Sequence, residues 1–530
     1  MTLLAVSISG TSIHEIRSDI ESAIDLGADL IELRLDLMPG VSNDEIRSLH
    51  EPNRVPAPLI LTIRSVEEGG QWQGEESDRL NRLIELSPIA EYVDFEMNAW
   101  RASESTRREL TAALRSSEGQ IDPDTSAAAP ARKLILSRHD HRSRPPTLHS
   151  DLLAMCDETL CDVPKLAWRA RTVRDNFEAF ELMRDNPRRA IVICMGEPGT
   201  ISRILARKFG AFATFASASR DRATAPGQLS VQDLATIYHW QSIDCETTVY
   251  GVVGDPVTHS LGPVVHNAAF AKAERNSVYV PLPVGPSYEA FKAFMVEWLA
   301  RPWLDLRGVS VTAPHKENAL RYLREHGGQI DALANRVGSI NTLAVDGDTM
   351  VGRNTDHDAI LAAVRDELGW TRADWKGRTA AVLGAGGIGR AVVAALTATG
   401  ARVTIFNRTL EKAESLARDF DCQNAPWQDC TTFEADLLVN CTTLGLWPNA
   451  DESPIPEQCL KRFGAVFDTI YNPLKTRLLR DAAAHGCQVV NGLAMFLRQA
   501  EDQFRGWTGR ADMLETMHQA ARTALGQSNV

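Results

Sequence analysis

The chain has 530 residues, of which 44% are hydrophobic and 24% are charged, with a formal net charge of -13 and a pI near 5.5. This length exceeds what one hydrophobic core supports, so we expect at least two domains. The acidic balance argues against general binding to nucleic acid or to anionic membrane surfaces, and the composition excludes a wholly disordered chain.

The nine cysteines are scattered along the chain without a Cys-x-x-Cys pair. This pattern predicts reduced thiols rather than a disulfide framework or a zinc site, and no metal is expected. No apolar run has the length of a membrane span and the first residues lack a basic leader, so we expect a cytoplasmic protein. The oligomeric state stays open at this stage.

Eight short β-rich apolar runs alternate with helical patterns in residues 1–242. This alternation and count predict an α/β fold of the (β/α)8 barrel type, whose active site lies at the carboxyl ends of the strands. The polar, small-residue-rich stretch Arg115–Arg132 is interpreted as a mobile surface insertion. The predicted strands are Leu4–Ser9, Leu30–Leu35, Leu59–Ile63, Tyr92–Met97, Lys133–Ser137, Val163–Trp168, Ala190–Met195 and Phe212–Ser217.

Polar side chains that can do chemistry follow or end these predicted strands. Taken singly, each has a structural explanation, such as a salt bridge or a capping role. Lys165 is the sharper signal, because an unpaired ammonium inside the apolar run Val163–Trp168 is costly to bury. Burial favours the neutral amine, which can form a Schiff base with a ketone, while the alternative is a lysine paired with a carboxylate. The candidates are Glu32, Arg34, Arg64, Glu96, His139, Lys165 and Arg203.

The order of these residues resembles the type I 3-dehydroquinate dehydratases. The matching segments are Glu32–Asp36, Ser137–Asp140, Lys165, Ser202-Arg203 and Ala225–Gln228. The resemblance implies that Lys165 forms the imine with the substrate ketone, that His139 moves protons and that Glu96 orients His139. It also implies that Arg203 binds the substrate carboxylate. Further substrate-binding residues implied are Glu32, Arg34, Arg64, Thr224, which replaces a serine common in the family, and Gln228.

The polar segment Gln241–Thr248 is predicted to link the barrel to a second module. Strand and helix patterns continue through residues 249–356, the expected substrate-binding lobe. In residues 357–490 the predicted strand Thr379–Leu383, a glycine-rich turn and a helix indicate a Rossmann nucleotide-binding lobe. Two amphipathic helices are expected in residues 491–530, over Leu493–Trp507 and Ala511–Leu525, packing back on the first lobe.

The glycine-rich turn has the form Gly-x-Gly-x-x-Gly, in which backbone amides at a helix start face a pyrophosphate. The next predicted strand, Arg402–Phe406, is followed by Arg408 rather than by an acidic residue. An arginine suits a ribose 2'-phosphate, so NADP(H) is favoured over NAD. The expected cofactor-binding residues are Gly384, Ala385, Gly386, Gly387, Ile388, Gly389, Asn407, Arg408, Thr409 and Thr442.

Lys316 and Asp356 precede this turn, and seen alone they are explained as a surface ion pair. Their segments, Val311–Lys316 and Gly352–Asp356, resemble shikimate dehydrogenase, as do Asn440–Thr443, Asp468–Leu474 and Asn491–Met495. The resemblance implies that Lys316 and Asp356 transfer a proton to the carbonyl oxygen while NADPH delivers hydride. The substrate-binding residues implied are Ser260, Thr312, Asn341, Tyr471 and Gln499.

Two positions depart from the shikimate dehydrogenase pattern. Gly262 stands where the family usually has a second serine, and we expect it to leave room for water or a larger C1 substituent. His357 stands where a glycine is usual and adds a titratable group beside the expected site. Quinate-like substrates therefore stay open for this module.

The product expected of the first half, 3-dehydroshikimate, is the substrate expected of the second. We therefore interpret the chain as a bifunctional enzyme that converts 3-dehydroquinate to shikimate, similar to the two-domain enzyme of plants. One rival is an NAD-dependent enzyme that oxidises quinate or shikimate, which Gly262 favours and Arg408 opposes. The other is a ligand sensor without turnover, which the joint presence of Lys165, His139 and Lys316 opposes.

Overall fold

The computed structural model describes residues 1–50, 55–115, 132–347, 349–447 and 449–526. It divides into two compact units, Met1–Thr247 with Val280–Pro283, and Thr248–Tyr279 with Val284–Val530. The expected insertion Arg115–Arg132 lies, apart from its two end residues, outside the described residues.

The first unit is a near-closed barrel of eight parallel strands. Their hydrogen-bonded order is β7-β6-β5-β4-β3-β2-β1-β8, and the backbone N–H of Phe212 donates to the carbonyl of Ala190 at 2.9 Å, linking the starts of the two end strands. The predicted (β/α)8 fold is confirmed, and each predicted run coincides with a strand to within a few residues. The strands are β1 Leu3–Ile8, β2 Leu30–Arg34, β3 Leu59–Thr62, β4 Tyr92–Glu96, β5 Lys133–Asp140, β6 Val163–Arg169, β7 Ile191–Met195 and β8 Ala213–Ser217.

Side chains from the strands fill the barrel interior, among them Ala5, Ile60, Ile135 and Phe215. The surrounding helices bury one face each; in the first of them Ile16, Ile20 and Ala23 recur at helical spacing. The helices are α1 Ile13–Asp25, α2 Asn43–Arg47, α3 Glu76–Leu86, α4 Met97–Ala102, α5 Glu104–Arg115, α6 Leu148–Asp157, α7 Asp175–Asp185, α8 Thr200–Ile204 and α9 Val231–Thr236.

The second unit begins with a mixed sheet of six strands in the order β10-β9-β11-β13-β14-β12. The pairings of β13 with β11 and β14 are antiparallel, while β9 and β11 are parallel. The strands are β9 Thr248–Gly254, β10 Ser277–Pro283, β11 Leu306–Val311, β12 Gln329–Ile330, β13 Thr342–Asp346 and β14 Thr349–Arg353. The helices are α10 Gly262–Lys272, α11 Tyr288–Leu299, α12 Lys316–Glu325, α13 Ala332–Val337 and α14 Asp356–Leu368.

A second six-stranded sheet, parallel throughout, has the order β17-β16-β15-β18-β19-β20. The chain order of the strands changes direction at β15, the first strand of this sheet, as it does in the Rossmann fold. The predicted Rossmann lobe is therefore confirmed. The strands are β15 Thr379–Leu383, β16 Arg402–Asn407, β17 Gln423–Pro426, β18 Ala435–Asn440, β19 Phe463–Asp468 and β20 Gln488–Val490. The helices are α15 Gly387–Ala398, α16 Leu410–Phe420 and α17 Arg477–Ala484.

Two helices end the described chain, α18 Gly492–Thr508 and α19 Leu514–Ala524. The side chain of Asn491 caps α18 by accepting from the N–H of Leu493 at 3.0 Å. Phe504 and Met517 share one hydrophobic cluster with Val265 of the first lobe. The C-terminal helices therefore pack on the lobe that contains β9 and α10.

Candidate functional site

The barrel unit contains an open cavity at the carboxyl ends of its strands. This is the location that the barrel architecture predicts for an active site. Most of the sequence-predicted residues of this half lie on its wall: Glu32, Arg34, Arg64, His139, Lys165, Arg203, Thr224 and Gln228. Glu96 is the exception, and Glu68 and His141 line the cavity without having been predicted.

Lys165 is buried in β6, and it has a partner. Its Nζ donates to Oδ2 of Asp94 at 2.8 Å, lies 3.6 Å from Oε1 of Glu32 and sits 4.2 Å from the centre of the Phe215 ring. The expectation of an unpaired amine was wrong, because Asp94 on β4 reaches the same interior level. Burial by itself raises the pKa of Asp94, but Arg64 and Lys165 outweigh it and hold that pKa well below its usual range.

Arg64 organises a second group of charges below the cavity. Its Nη1 donates to Oγ of Ser137 at 2.7 Å and its Nη2 donates to Oδ1 of Asp94 at 2.8 Å. The carboxylate of Glu96 lies 3.5 Å from Arg64 and 2.9 Å from Arg79. It also accepts from the backbone N–H of Ser65 at 2.9 Å. The carboxylate of Glu96 is thus engaged by the β3 side of the barrel and not by His139.

Glu68, in place of Glu96, contacts His139. Its Oε2 accepts from the backbone N–H of His139 at 3.0 Å and lies 3.0 Å from the ring Nδ1. The sequence-based role of Glu96 is therefore corrected: Glu68 follows Arg64 in a turn that folds over the end of β5. The physical reason is the turn at Gly69, whose positive φ of 82° returns the chain toward that strand.

Burial controls the charge of this pair. Burial raises the pKa of Glu68 to about 8, although the positive charge of Arg64 acts to lower it. Burial also lowers the pKa of His139 well below 6.5, and the charges of Arg64 and Lys165 lower it further. When the imidazole is uncharged and donates its Nδ1 hydrogen to Oε2 of Glu68, the lone pair of Nε2 stays available. His139 can therefore act as a general base.

Arg203 presents a guanidinium to the cavity with few partners of its own. Its side chain is buried, its Nε donates to the carbonyl of Gly227 at 3.4 Å, and its Nη1 has no hydrogen-bond partner. Burial lowers the pKa of Arg203 to about 10. A buried donor without a partner is costly, so this nitrogen fits an anionic ligand.

The remaining polar wall is held in place by local pairs. Arg34 forms a bidentate ion pair with Asp36 at 2.9 and 2.7 Å. Thr224 donates from its hydroxyl at 3.0 Å to Oε1 of Gln228, whose amide nitrogen lies 3.5 Å from Oγ of Ser7. These contacts orient the side chains that face the cavity.

In the second unit, Nζ of Lys316 donates to Oδ2 of Asp356 at 2.6 Å. Lys316 begins α12 after β11, and Asp356 begins α14 after β14. Both are largely buried, so the pair is not the exposed ion pair that the alternative explanation required. A Cβ added at Gly387 would lie 3.5 Å from Cδ of Lys316, which places the lysine beside the glycine-rich turn.

Two of the predicted substrate residues of this unit, Asn341 and Gln499, are hydrogen-bonded to Thr355, which precedes Asp356. Asn341 donates from Nδ2 to the hydroxyl of Thr355 at 3.0 Å, and that hydroxyl donates to the carbonyl of Gln499 at 3.1 Å. Thr312 follows β11 in the turn that leads to Lys316. Tyr471 packs on Phe496, with their ring centres 4.7 Å apart. Phe496 lies one helical turn before Gln499 in α18.

The space beside Gly262 is occupied, contrary to expectation. A Cβ there would lie 3.0 Å from the Tyr279 ring and 3.1 Å from Oγ of Ser260. Tyr279 is buried and donates to Oγ of Ser310 at 2.6 Å. The glycine therefore accommodates Tyr279 rather than opening a vacancy. His357 is buried too, with its Nδ1 at 2.8 Å from Asp358.

The nucleotide turn has the close approaches that its glycines predict. Gly384 has φ of 104°, and a Cβ at Gly389 would lie 2.1 Å from the carbonyl oxygen of Gly384. Asn407 accepts from the N–H of Ala385 at 3.1 Å and donates to the carbonyl of Thr409 at 2.7 Å. Ile388 lies in the first turn of α15.

The edges of the same turn come from the ends of neighbouring strands. Arg408 is exposed directly after β16. The hydroxyl of Thr442, after β18, donates to Oδ1 of Asn440 at 2.7 Å.

Sequence reasoning missed Asp94, Glu68 and His141. Asp94 and Glu96 alternate on one strand and share a face, so the same signal that selected Glu96 was present at Asp94. Glu68 lies in a loop, where periodicity carries no signal. Only the folded barrel shows which strand end its carboxylate reaches.

Among the described residues, no group of three or more His, Cys, Asp and Glu side chains is arranged to hold a metal ion. No helix in the described ranges is both long and apolar enough to cross a membrane. All nine cysteines are free thiols.

Comparisons with known proteins agree with this division. The family model of type I 3-dehydroquinase matches residues 4–244, that of the shikimate dehydrogenase substrate binding domain residues 252–343, and that of shikimate/quinate 5-dehydrogenase residues 367–443. The chain is 33% identical over 527 residues to a chloroplastic bifunctional 3-dehydroquinate dehydratase/shikimate dehydrogenase of Arabidopsis thaliana, covering 96% of this chain and 82% of that protein.

The second half alone is similar to single-activity enzymes. It is 38% identical over 292 residues to a shikimate dehydrogenase (NADP(+)) of Symbiobacterium thermophilum, covering 52% of this chain and 94% of that protein. A solved shikimate 5-dehydrogenase of Thermus thermophilus in complex with NADP(H) and shikimate is 36% identical, with a TM-score of 0.47, covering 53% of this chain and all of that one. The chain belongs to the family of bifunctional 3-dehydroquinate dehydratase/shikimate dehydrogenases, as its motifs predicted.

Proposed function

We propose that Lys165 carries the first reaction as a Schiff base. The observation that carries this proposal is a buried lysine that faces a cavity shared with His139 and Arg203. The amine of Lys165 adds to the C3 ketone of 3-dehydroquinate and releases water, giving an imine. The imine accepts the electron pair that is left when the C2 proton is removed.

His139 is the base in this scheme and Glu68 is its positioning residue. Nε2 of His139 takes the C2 proton and returns it to the C1 hydroxyl, which leaves as water. The imine is then hydrolysed, which frees Lys165 and releases 3-dehydroshikimate. Glu68 holds Nδ1, so the basic nitrogen stays directed at the substrate.

Arg203 binds the substrate carboxylate through its unpartnered Nη1. The ring hydroxyls contact the polar wall of the cavity. Its members are Glu32, Arg34, Arg64, Thr224 and Gln228. In place of the predicted contact with His139, Glu96 holds Arg64 and the backbone of Ser65.

The second reaction uses NADP(H), and the residues of the turn fit this cofactor. The tight contact at Gly389 leaves the amides at the start of α15 open to a pyrophosphate, and Arg408 is exposed where a 2'-phosphate would lie. The chain would hold the nucleotide through residues 384–389 together with Asn407, Arg408, Thr409 and Thr442. NADPH, when bound, supplies the hydride for the carbonyl carbon of 3-dehydroshikimate.

Lys316 donates the proton to the carbonyl oxygen, and Asp356 orients Lys316. Thr312, Asn341 and Gln499 hold ring hydroxyls, and Ser260 with Tyr471 holds the carboxylate end. The two units together convert 3-dehydroquinate to shikimate, two consecutive steps of the shikimate pathway. The partners are these small molecules, and neither nucleic acid nor a membrane is required.

We assign residues 1–242 to the dehydratase, 249–356 to the substrate lobe, 357–490 to the NADP lobe and 491–530 to the C-terminal helices that pack on the substrate lobe. We also propose a cytoplasmic location, since nine free thiols suit a reducing compartment.

The test follows NADPH absorbance after 3-dehydroquinate alone is added to the purified chain, with the absorbance of the dehydroshikimate enone recorded in parallel. Consumption of NADPH supports both sites in series. Accumulation of the enone without NADPH loss contradicts the second assignment, and no change in either signal contradicts the first.

A further inference from the structure

His141 is a second histidine at the end of β5 that the reaction scheme above does not use. It lies directly after the last residue of β5 and two residues after His139. Their rings are stacked with centres 6.5 Å apart and an interplanar angle of 21°, and both line the barrel cavity.

His141 binds the backbone of the residue whose side chain binds His139. Its Nε2 lies 2.9 Å from the carbonyl oxygen of Glu68. A carbonyl oxygen only accepts, so Nε2 of His141 carries the hydrogen. Glu68 is thus held at the end of β5 by three contacts: His141 binds its backbone carbonyl, and the backbone N–H and ring Nδ1 of His139 contact its side-chain Oε2.

The turn at Gly69 makes this arrangement specific. A Cβ at Gly69 would lie 2.1 Å from Nε2 of His141, and the φ of 82° there disfavours any side chain. A Cβ at Gly70 would lie 2.1 Å from the carbonyl oxygen of Arg64. The glycines therefore let the segment that carries Glu68 approach the imidazole of His141 closely.

We propose that His141 is a positioning residue of the dehydratase: by holding the backbone carbonyl of Glu68, it keeps the side-chain carboxyl oxygen of Glu68 on Nδ1 of His139. Nε2 of His139 then stays the basic nitrogen. The inference rests on the proposed roles of His139 and Glu68 in dehydration. It concerns a residue two positions from the base that has no assigned part in the reaction.

Several charged groups surround His141. Burial lowers its pKa, Arg64 and Arg34 act in the same direction, and the Glu68 carbonyl and Asp140 oppose them. His139 is the neighbouring titratable ring. The Nε2 hydrogen is present in the cationic imidazole and in the neutral tautomer assigned here, so the contact itself does not depend on protonation.

The experiment compares three variants of the full chain. His141→Gln keeps an amide nitrogen at the distance of Nε2, whereas His141→Asn places it too near the backbone and His141→Phe removes it. We expect kcat for dehydration to fall by about tenfold in the Asn and Phe variants, the value of one hydrogen bond, and to recover in the Gln variant. KM for 3-dehydroquinate should change by less than about twofold, because no substrate contact is lost.

A spectroscopic readout separates positioning from folding. The chain is labelled with 15N in its histidines and examined by NMR. His139 should be a single Nδ1–H tautomer in the wild type and the Gln variant, and a mixture of tautomers in the Asn variant. Equal kcat and one tautomer in all variants would overturn the inference, as would a loss that appears in KM alone. The Gln and Asn pair decides the matter even where the Phe variant fails to fold.

Failure of this inference and failure of the proposed function give different results. Wild-type chain that fails to dehydrate 3-dehydroquinate contradicts the function itself. Active wild type with unaffected variants contradicts the role of His141 alone. Reduction of added 3-dehydroshikimate measures the concentration of folded second unit in every preparation.

Discussion

Nζ of Lys165 lies 2.8 Å from Oδ2 of Asp94, and both groups are buried inside the barrel. The same carboxylate accepts from Arg64 at 2.8 Å. One carboxylate therefore binds two basic side chains at the base of the cavity, so Asp94 links the stability of the barrel to its reactive lysine.

Asp94→Asn should destabilise the barrel by about 3 kcal/mol, because it leaves Lys165 and Arg64 with only their weaker partners. Urea unfolding, monitored through the loss of dehydratase activity, measures this change in stability. Glu76→Gln, which removes a partly exposed partner of Arg79, is the control and should change stability by less than about 1 kcal/mol. An Asp94 variant as stable as that control would refute the coupling.

Lys165→Ala should abolish dehydration and leave reduction of 3-dehydroshikimate intact, because the residue lies in the barrel unit. Borohydride added during turnover should fix the substrate to wild-type chain, and the adduct should map to the peptide that contains Lys165. Trapping at another lysine, or unchanged dehydration in the variant, would exclude the imine at this position.

Lys316→Ala should lower kcat for reduction by about a hundredfold to ten thousandfold, the range for loss of a proton donor. The rate of dehydration should not change. Arg408→Ala is the matched variant of the same unit and should raise KM for NADPH while kcat is largely kept. A Lys316 variant that shows the same pattern as the Arg408 variant would argue for a binding role instead.

Arg203→Met should raise KM for 3-dehydroquinate by about tenfold to a hundredfold, as expected for hydrogen bonds to a charged group. It should change stability little, because the Nη1 that it removes has no partner in the protein and the contact of Nε with the Gly227 carbonyl is long, at 3.4 Å. Arg220→Met removes a barrel arginine paired with Asp233 away from the cavity and serves as the control. Equal KM values in the two variants would contradict carboxylate binding by Arg203.

Dehydration should keep its rate as the pH falls through 6.5. Burial, Arg64 and Lys165 hold the pKa of His139 well below that value, so the imidazole stays neutral and basic in this range. Glu68, whose pKa burial raises to about 8, stays uncharged throughout the same range. The acid limb of kcat/KM should therefore lie below the pH at which a free histidine titrates. A limb centred at or above pH 6.5 would show that His139 is not the titrating base in the free enzyme.

The sequence by itself determined the fold classes, and it selected most of the polar residues that line the barrel cavity. Eight apolar runs predict eight strands, because strand formation depends on local patterning, and a barrel brings the ends of such strands together. The Gly-x-Gly-x-x-Gly spacing likewise predicts the nucleotide turn, since the positive φ at Gly384 and the close approach at Gly389 require glycine.

The tertiary structure decided which charges meet. Asp94 pairs with Lys165, and Glu68 rather than Glu96 contacts His139, because a turn and two neighbouring strands converge over distances that no local pattern records. Tyr279 fills the space at Gly262 for the same reason. Local propensity fixes where strands and helices form, whereas partner choice inside a core depends on packing between segments far apart in the chain.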